Sequence, residues 1–188
     1  MLSYDEHAIL ILYRRFYDID YPAKRENNTE AHIMAQKMCY LMDRSTIPVG
    51  DYGFFWDKYG PYSELLQNRL RHIDKDSNTV DEFYKEYPQD SHLLFNDDIN
   101  SNNSFFSLRR QNKVDELSKA LRIQDHREDE RNWVELLGSL LYLYQIGSSR
   151  EKFETVNERL KNKKIYFNDD SINQKAWNSL ILAGLVVA

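Results

Sequence analysis

The chain has 188 residues, the length of one domain, with 41% hydrophobic and 29% charged residues and a formal net charge of −5. That balance fits a folded core rather than disorder and argues against a strongly basic nucleic-acid binder. No run of ~18 apolar residues offers a membrane span, and the single cysteine, Cys39, excludes a disulfide framework and a multi-cysteine zinc site.

The start, Met1-Leu2-Ser3-Tyr4-Asp5-Glu6, has neither a basic nor an apolar leader region, so a reducing, cytoplasmic setting is the expectation. Ser3 and Glu6 form a capping-box pattern, and Ile9, Leu12, Tyr13 and Phe16 recur at helical spacing, which predicts a helix over 4–17. A polar connector follows. A second helix is predicted from Thr29 to Arg44, with Ala31, Met34, Ala35, Met38, Leu41 and Met42 on one side. Cys39 lies within it beside Met38, where a thiol is normally an inert packing group, and His32 stands two turns away, too far for a Cys–His pair.

Residues 45–60 break the helical pattern. Ile47-Pro48-Val49-Gly50 cannot continue a helix, and Tyr52-Gly53-Phe54-Phe55-Trp56 suits a short extended piece. Tyr59-Gly60-Pro61-Tyr62-Ser63 reads as a turn that feeds a helix with Pro61 near its first position and Tyr62, Leu65, Leu66, Leu70 and Ile73 on its buried stripe. From Asp74 to Asp98 eight acidic residues face two lysines. With the Asn/Ser run that follows, residues 74–104 read as a solvated insertion carrying at most a short helix near Val80–Tyr87. An acidic docking surface is the alternative.

Val114, Leu117 and Leu121 mark a short helix. Trp133, Leu136, Leu137, Leu140, Leu141 and Tyr144 define the strongest one, over 129–146, with Gly147 at its stop. Ser148 with Glu151, and Ser171 with Gln174, suggest capping boxes for two closing helices over 148–188. Phe153, Val156 and Leu160 lie inside the first, and Ile172, Ala176, Leu180 and Ala183 inside the second. The chain as a whole reads as a single all-α domain: a compact multi-helix unit with a short extended corner and a helix-turn-helix-like C-terminal part.

No Gly-rich phosphate loop, HExxH or GxSxG appears, so no catalytic residue, cofactor or metal site is expected. The remaining histidines, His7, His72, His92 and His126, lack metal-ligand spacing, and Asp97-Asp98 and Asp169-Asp170 suit turns or helix starts. One nucleic-acid reading stands as the alternative to protein binding. Arg150, Lys152, Arg159, Lys161, Lys163 and Lys164 supply positive charge ahead of a closing helix that carries Lys175, as in a winged-helix regulator.

Two ordered blocks carry a resemblance. Met38-Cys39-Tyr40-Leu41 followed by Phe54-Phe55-Trp56-Asp57-Lys58-Tyr59-Gly60-Pro61-Tyr62-Ser63-Glu64-Leu65-Leu66 resembles the YwgA-like proteins and, more loosely, the SocA-like (Panacea) antitoxin domain. Trp133-Val134-Glu135-Leu136-Leu137-Gly138-Ser139-Leu140-Leu141-Tyr142-Leu143 and the closing stretch Ala176 to Val186 are similar to later parts of the same pattern. The resemblance implies a non-catalytic, cytoplasmic, partner-binding domain tied to toxins or phage defence. Its central motif has two readings from the residues themselves. Phe55, Trp56 and Tyr59 lock a corner onto the 129–146 helix, or Trp56, Lys58, Tyr59 and Tyr62 form a rigid aromatic and cationic patch for a protein partner.

Overall fold

The computed structural model describes residues 2–24, 28–47, 49–86, 108–147 and 151–187. Eight α-helices and one two-stranded sheet make up the regular structure there, a mostly-α domain as the periodicity predicts. They are α1 (Tyr4–Tyr17), α2 (Thr29–Arg44), β1 (Phe55–Asp57), β2 (Gly60–Tyr62), α3 (Glu64–Lys75), α4 (Ser77–Glu86), α5 (Leu108–Leu121), α6 (Glu130–Gln145), α7 (Phe153–Lys163) and α8 (Asp170–Leu182). A 3-10 segment, Ile123–Asp129, leads into α6.

The helix boundaries follow their local chemistry. Ser3 accepts from the Glu6 amide while Glu6 accepts from the Ser3 amide, so the capping box opens α1. On α2, Met34, Met38 and Met42 are all buried, which makes the methionine stripe core. The core is organised around α6, whose Val134, Leu137, Leu140, Leu141 and Leu143 are fully buried. It packs against α2, α7, α8, β2 and the 3-10 segment, while α1 packs on α5, α2 and α3. Each buried Leu or Val of this kind contributes roughly 1.5–3 kcal/mol of transfer free energy.

Several expectations are corrected. Pro61 is not at a helix start: it lies in β2 opposite Trp56, with Phe55 opposite Tyr62 and Asp57 opposite Gly60. Both strands of a two-stranded ribbon are edges, so a proline without an N–H is tolerated there. The helix begins at Glu64, capped by Ser63, whose hydroxyl accepts from the Leu66 amide. Leu66, Leu70 and Ile73 are buried as predicted, but Leu65 is 61% exposed, because it stands one residue, about 100° of helical turn, off the i, i+4, i+7 stripe those three form. The acidic segment is folded in its first part: Asp74 is buried at the end of α3, and Val80 and Phe83 of α4 join the core. Residues 87–104, with His92, Asp97 and Asp98, lie outside the described residues.

The closing helices also start differently. Lys152 flanks α7, Glu151 instead accepts from Arg159, and Ser148 lies outside the described residues. Asp169 caps α8 through the amides of Ser171 and Ile172, displacing the Ser171–Gln174 box. Ile172 is 45% exposed, and Trp177 takes the buried place beside Ala176 and Leu180. Gly184 ends the helix in the left-handed conformation at φ 68°.

Candidate functional site

The hairpin β1–β2 is held from beneath by three polar side chains of buried origin. Gln36 forms a two-bond pair with the Ser63 backbone, its Nε2 donating to the carbonyl at 2.8 Å and its Oε1 accepting the amide at 2.9 Å. The Ser63 hydroxyl donates to the Tyr52 carbonyl, which ties the incoming strand to the helix start. Lys37 Nζ donates to the Pro61 carbonyl at 2.6 Å.

Lys37 belongs to a buried charge cluster where α2, α6 and the hairpin meet. Lys164 Nζ lies 2.5 Å from Glu135 Oε1, and both side chains are within 1% of full burial. The Tyr166 hydroxyl also donates to Glu135 Oε1, and Arg131 stands 3.2 Å from its other oxygen. Burial, followed by the like charge of Lys164, pulls the Lys37 amine down from 10.5 to about 7, against the opposing pull of Glu135 and Asp57. Burial also lowers Lys164, with Glu135 acting the other way.

Two glycines let these elements approach. A Cβ on Gly138 would meet the Lys37 stem at 3.2 Å and the Pro61 ring at 3.4 Å. A Cβ on Gly60 would stand 2.6 Å from Ser139 Oγ, and Gly60 sits at φ 84°, a left-handed conformation that side chains disfavour.

Above this base the hairpin presents aromatic side chains. Phe55 is 48% exposed and packs edge-on against Tyr62 with ring centroids 5.5 Å apart. Trp56 is half-buried against Tyr142 of α6 at 5.5 Å, so it locks the corner, whereas Phe55 points outward. Tyr59 lies between two cations: Lys58 Nζ at 4.9 Å and the Arg131 guanidinium at 5.4 Å.

The structure brings together two sets of residues that the sequence kept apart. Lys163 Nζ lies 5.4 Å from the Trp56 ring, and Lys164 Nζ lies 5.6 Å from it. The turn after α7 thereby joins the hairpin, and its Ile165 and Tyr166 are 83% and 59% exposed. Lys163 thus borders Trp56, Lys58 borders Tyr59, and Tyr59 lies near Tyr166. The rest of the basic set has other engagements: Arg159 pairs with Glu151, and Lys161 reaches Glu158 at 2.6 Å and Asp170 at 3.2 Å. Lys164 is buried, Lys152 and Lys175 are exposed, and Arg150 lies outside the described residues.

A second polar network flanks the hairpin. Buried Asp74 accepts from His32 Nε2 at 2.7 Å, Asn28 Nδ2 at 2.8 Å, the Tyr21 hydroxyl at 3.2 Å and the Lys24 amide at 3.3 Å. Gln67 Nε2 stands 2.7 Å from His32 Nδ1. Both ring nitrogens are therefore occupied, and the histidine positions α2 against α3. Cys39 is fully buried, and burial pushes its thiol well above the ordinary range, which makes it unreactive.

Sequence reasoning missed Lys37, Glu135, Asp74 and Gln36 as members of a site. The signal was present at two of them: Lys37 falls three residues after Met34 and four before Leu41, on the buried stripe. Glu135 similarly interrupts the most apolar helix just before Gly138-Ser139, small residues that admit a neighbouring backbone.

In comparisons with family models, curated proteins and solved structures, nothing matches this chain. Among the described residues, no helix is long and apolar enough to cross a membrane.

Proposed function

We propose that this chain is a non-catalytic protein-interaction module that receives its partner on the hairpin and the turn after α7. The carrying observation is the exposure of Phe55, at 48%, on a hairpin pinned from below by Lys37, Gln36 and Ser63. A rigid mounting lowers the ordering cost of association, and aromatic residues beside cations are the types enriched where binding energy concentrates. Tyr166 and Lys163 extend the same face, and Trp56 anchors it to the core.

The resemblance to YwgA-like and SocA-like proteins supports an antitoxin-like or defence-accessory role, with a toxin or defence-system component as the partner. The test is affinity purification from the native cell after nuclease treatment, with the wild type beside Phe55→Ala and Trp56→Ala. A stoichiometric protein held by the wild type and weakened by more than ~1 kcal/mol in Phe55→Ala supports the reading. Phe55→Ala is the cleaner variant, because Trp56 also supports the fold. Retention that collapses on nuclease treatment, or binding that falls steeply with added salt, would instead favour the winged-helix alternative over residues 150–183.

A further inference from the structure

The turn between α7 and α8 holds out an apolar side chain that its own backbone does not require. The Phe167 amide donates to the Lys164 carbonyl at 3.0 Å, which closes a turn with Ile165 and Tyr166 at its two central positions. Both ends of that turn are fixed. The Lys164 side chain is buried on Glu135, and the Lys164 amide donates to the Leu160 carbonyl at 2.7 Å. Phe167 belongs to the core, and its carbonyl accepts from Asn173 Nδ2 at 3.0 Å. Neither central residue has a positive φ, so the ordinary polar turn formers would fit both positions.

Tyr166 has a duty inside the molecule, since its hydroxyl donates to Glu135. Ile165 has none. It is 83% exposed, more than any other large apolar side chain among the described residues, and Tyr166 beside it is 59% exposed. A single exposed apolar residue on a helix is ordinary. An aliphatic group at the tip of a turn pinned on both sides differs, because the ordering cost of inserting it elsewhere is already met by the fold. What complements one projecting branched side chain is an apolar socket of matching size.

A bilayer is the poorer match. One isoleucine is a far shorter apolar chain than a myristoyl group, which alone binds membranes only marginally, and stable anchoring takes a polybasic patch as well. No such patch surrounds the tip. Lys161 is paired with Glu158 and Asp170, Arg159 with Glu151, and Lys164 with Glu135, and Asp169 and Asp170 follow the turn. The whole chain carries −5.

We infer that Ile165 is an anchor residue that enters an apolar socket on the protein partner, with Tyr166 packed at the socket's edge. The inference rests on the reading of the hairpin and the turn after α7 as the partner-facing side.

The test uses the full chain and the protein captured on it, each purified, in titrations of wild type, Ile165→Ser, Ile165→Val and Phe55→Ala. Ile165→Ser should weaken binding about ten-fold or more, as an interface anchor does, while Ile165→Val, which keeps the branch, should lose far less. Both should unfold at the wild-type urea midpoint, because the side chain lies outside the core. A fall in that midpoint for Ile165→Ser would make the residue structural and overturn the anchor. Binding weakened by Phe55→Ala but unchanged by Ile165→Ser would overturn the anchor and leave the interaction reading standing. A captured protein indifferent to both, or none captured at all, would overturn both. Vesicles of phosphatidylcholine and phosphatidylserine form the last arm: sedimentation of the wild type that Ile165→Ser abolishes would make the occupant a lipid surface and overturn the socket.

Discussion

Lys161 and Lys164 stand three residues apart at the end of one helix and lead opposite lives. Lys161 lies at the surface between Glu158 and Asp170, as Arg159 does with Glu151. Lys164 turns inward, joins Glu135, and with Lys37 builds the floor under the hairpin. The same chemical group is replaceable in the first setting and indispensable in the second. At the surface, water and salt compete for each charge and little is lost when a partner goes. Beneath the hairpin no water replaces a missing partner, so every charge depends on its neighbours. The buried cluster also decides how rigidly Phe55, Tyr59 and Tyr62 are displayed, whereas the surface pairs decide nothing about that face.

The sharpest way to break this contrast is to remove the one carboxylate of the buried set. Glu135→Ala leaves Lys164 and Tyr166 without their acceptor and should cost about 3–5 kcal/mol in urea unfolding. Replacing Glu135 by Leu together with Lys164 by Met should recover most of that loss, because the Lys164 amine is then no longer left without its acceptor. A double variant as unstable as Glu135→Ala alone would mean that the cluster acts through shape rather than charge.

Next in size is a pH effect that singles out Lys37. Its amine is held down to about 7 in the folded chain and returns to about 10.5 on unfolding. Between these values the unfolded chain binds more protons than the folded one, so stability rises as pH increases from about 7 towards 10. The rise is set first by the burial of the amine and then by the charges around it, namely Lys164, Glu135, Asp57 and Arg131. Lys37→Met should flatten it, and the comparison of urea midpoints for the two proteins at pH 7 and pH 9 isolates the lysine from other titrations. Parallel curves would show that the amine titrates normally.

A smaller loss is expected at the hairpin's closing glycine. Gly60→Ala places a Cβ against Ser139 Oγ at φ 84° and should cost about 1–3 kcal/mol. Adding Ser139→Ala removes the hydroxyl but not the backbone strain, so only part of the stability should return. Full recovery would assign the whole effect to the collision.

Much of this architecture could be read in the chain beforehand, and the parts that could not share one cause. Helical periodicity located α1, α2 and α6 because their apolar residues repeat along one sequence-local face. The aromatic corner was visible at Tyr52–Tyr62 from composition alone. The hairpin register was not, since Pro61 is pre-set for a helix start as readily as for an edge strand, and the Lys37 hydrogen bond and Gly138 contact that favour the strand come from α2 and α6. Lys163 and Trp56 were assigned to rival partners for the same reason: their approach to 5.4 Å spans more than a hundred residues. Capping was half legible. Ser3 and Glu6 act as the pattern says, but Asp169 outcompetes Ser171 because a carboxylate is the stronger acceptor at a helix start.

The smallest expected effect tests the other side of the contrast. Arg159→Ala and Lys161→Ala each remove an ion pair from the surface of α7, yet neither should shift the urea midpoint measurably. The Arg159 pair is the more demanding case. Its Glu151 partner is only 8% exposed, and Arg159 also reaches the Leu143 carbonyl at 3.4 Å, which couples α7 to the end of α6. If Arg159→Ala alone destabilises while Lys161→Ala does not, the boundary between the two kinds of charge lies at Glu151 rather than at Lys164. The inward-facing set would then extend along α7 as far as the loop that precedes it, and the face built on the hairpin would share its support with the C-terminal helices.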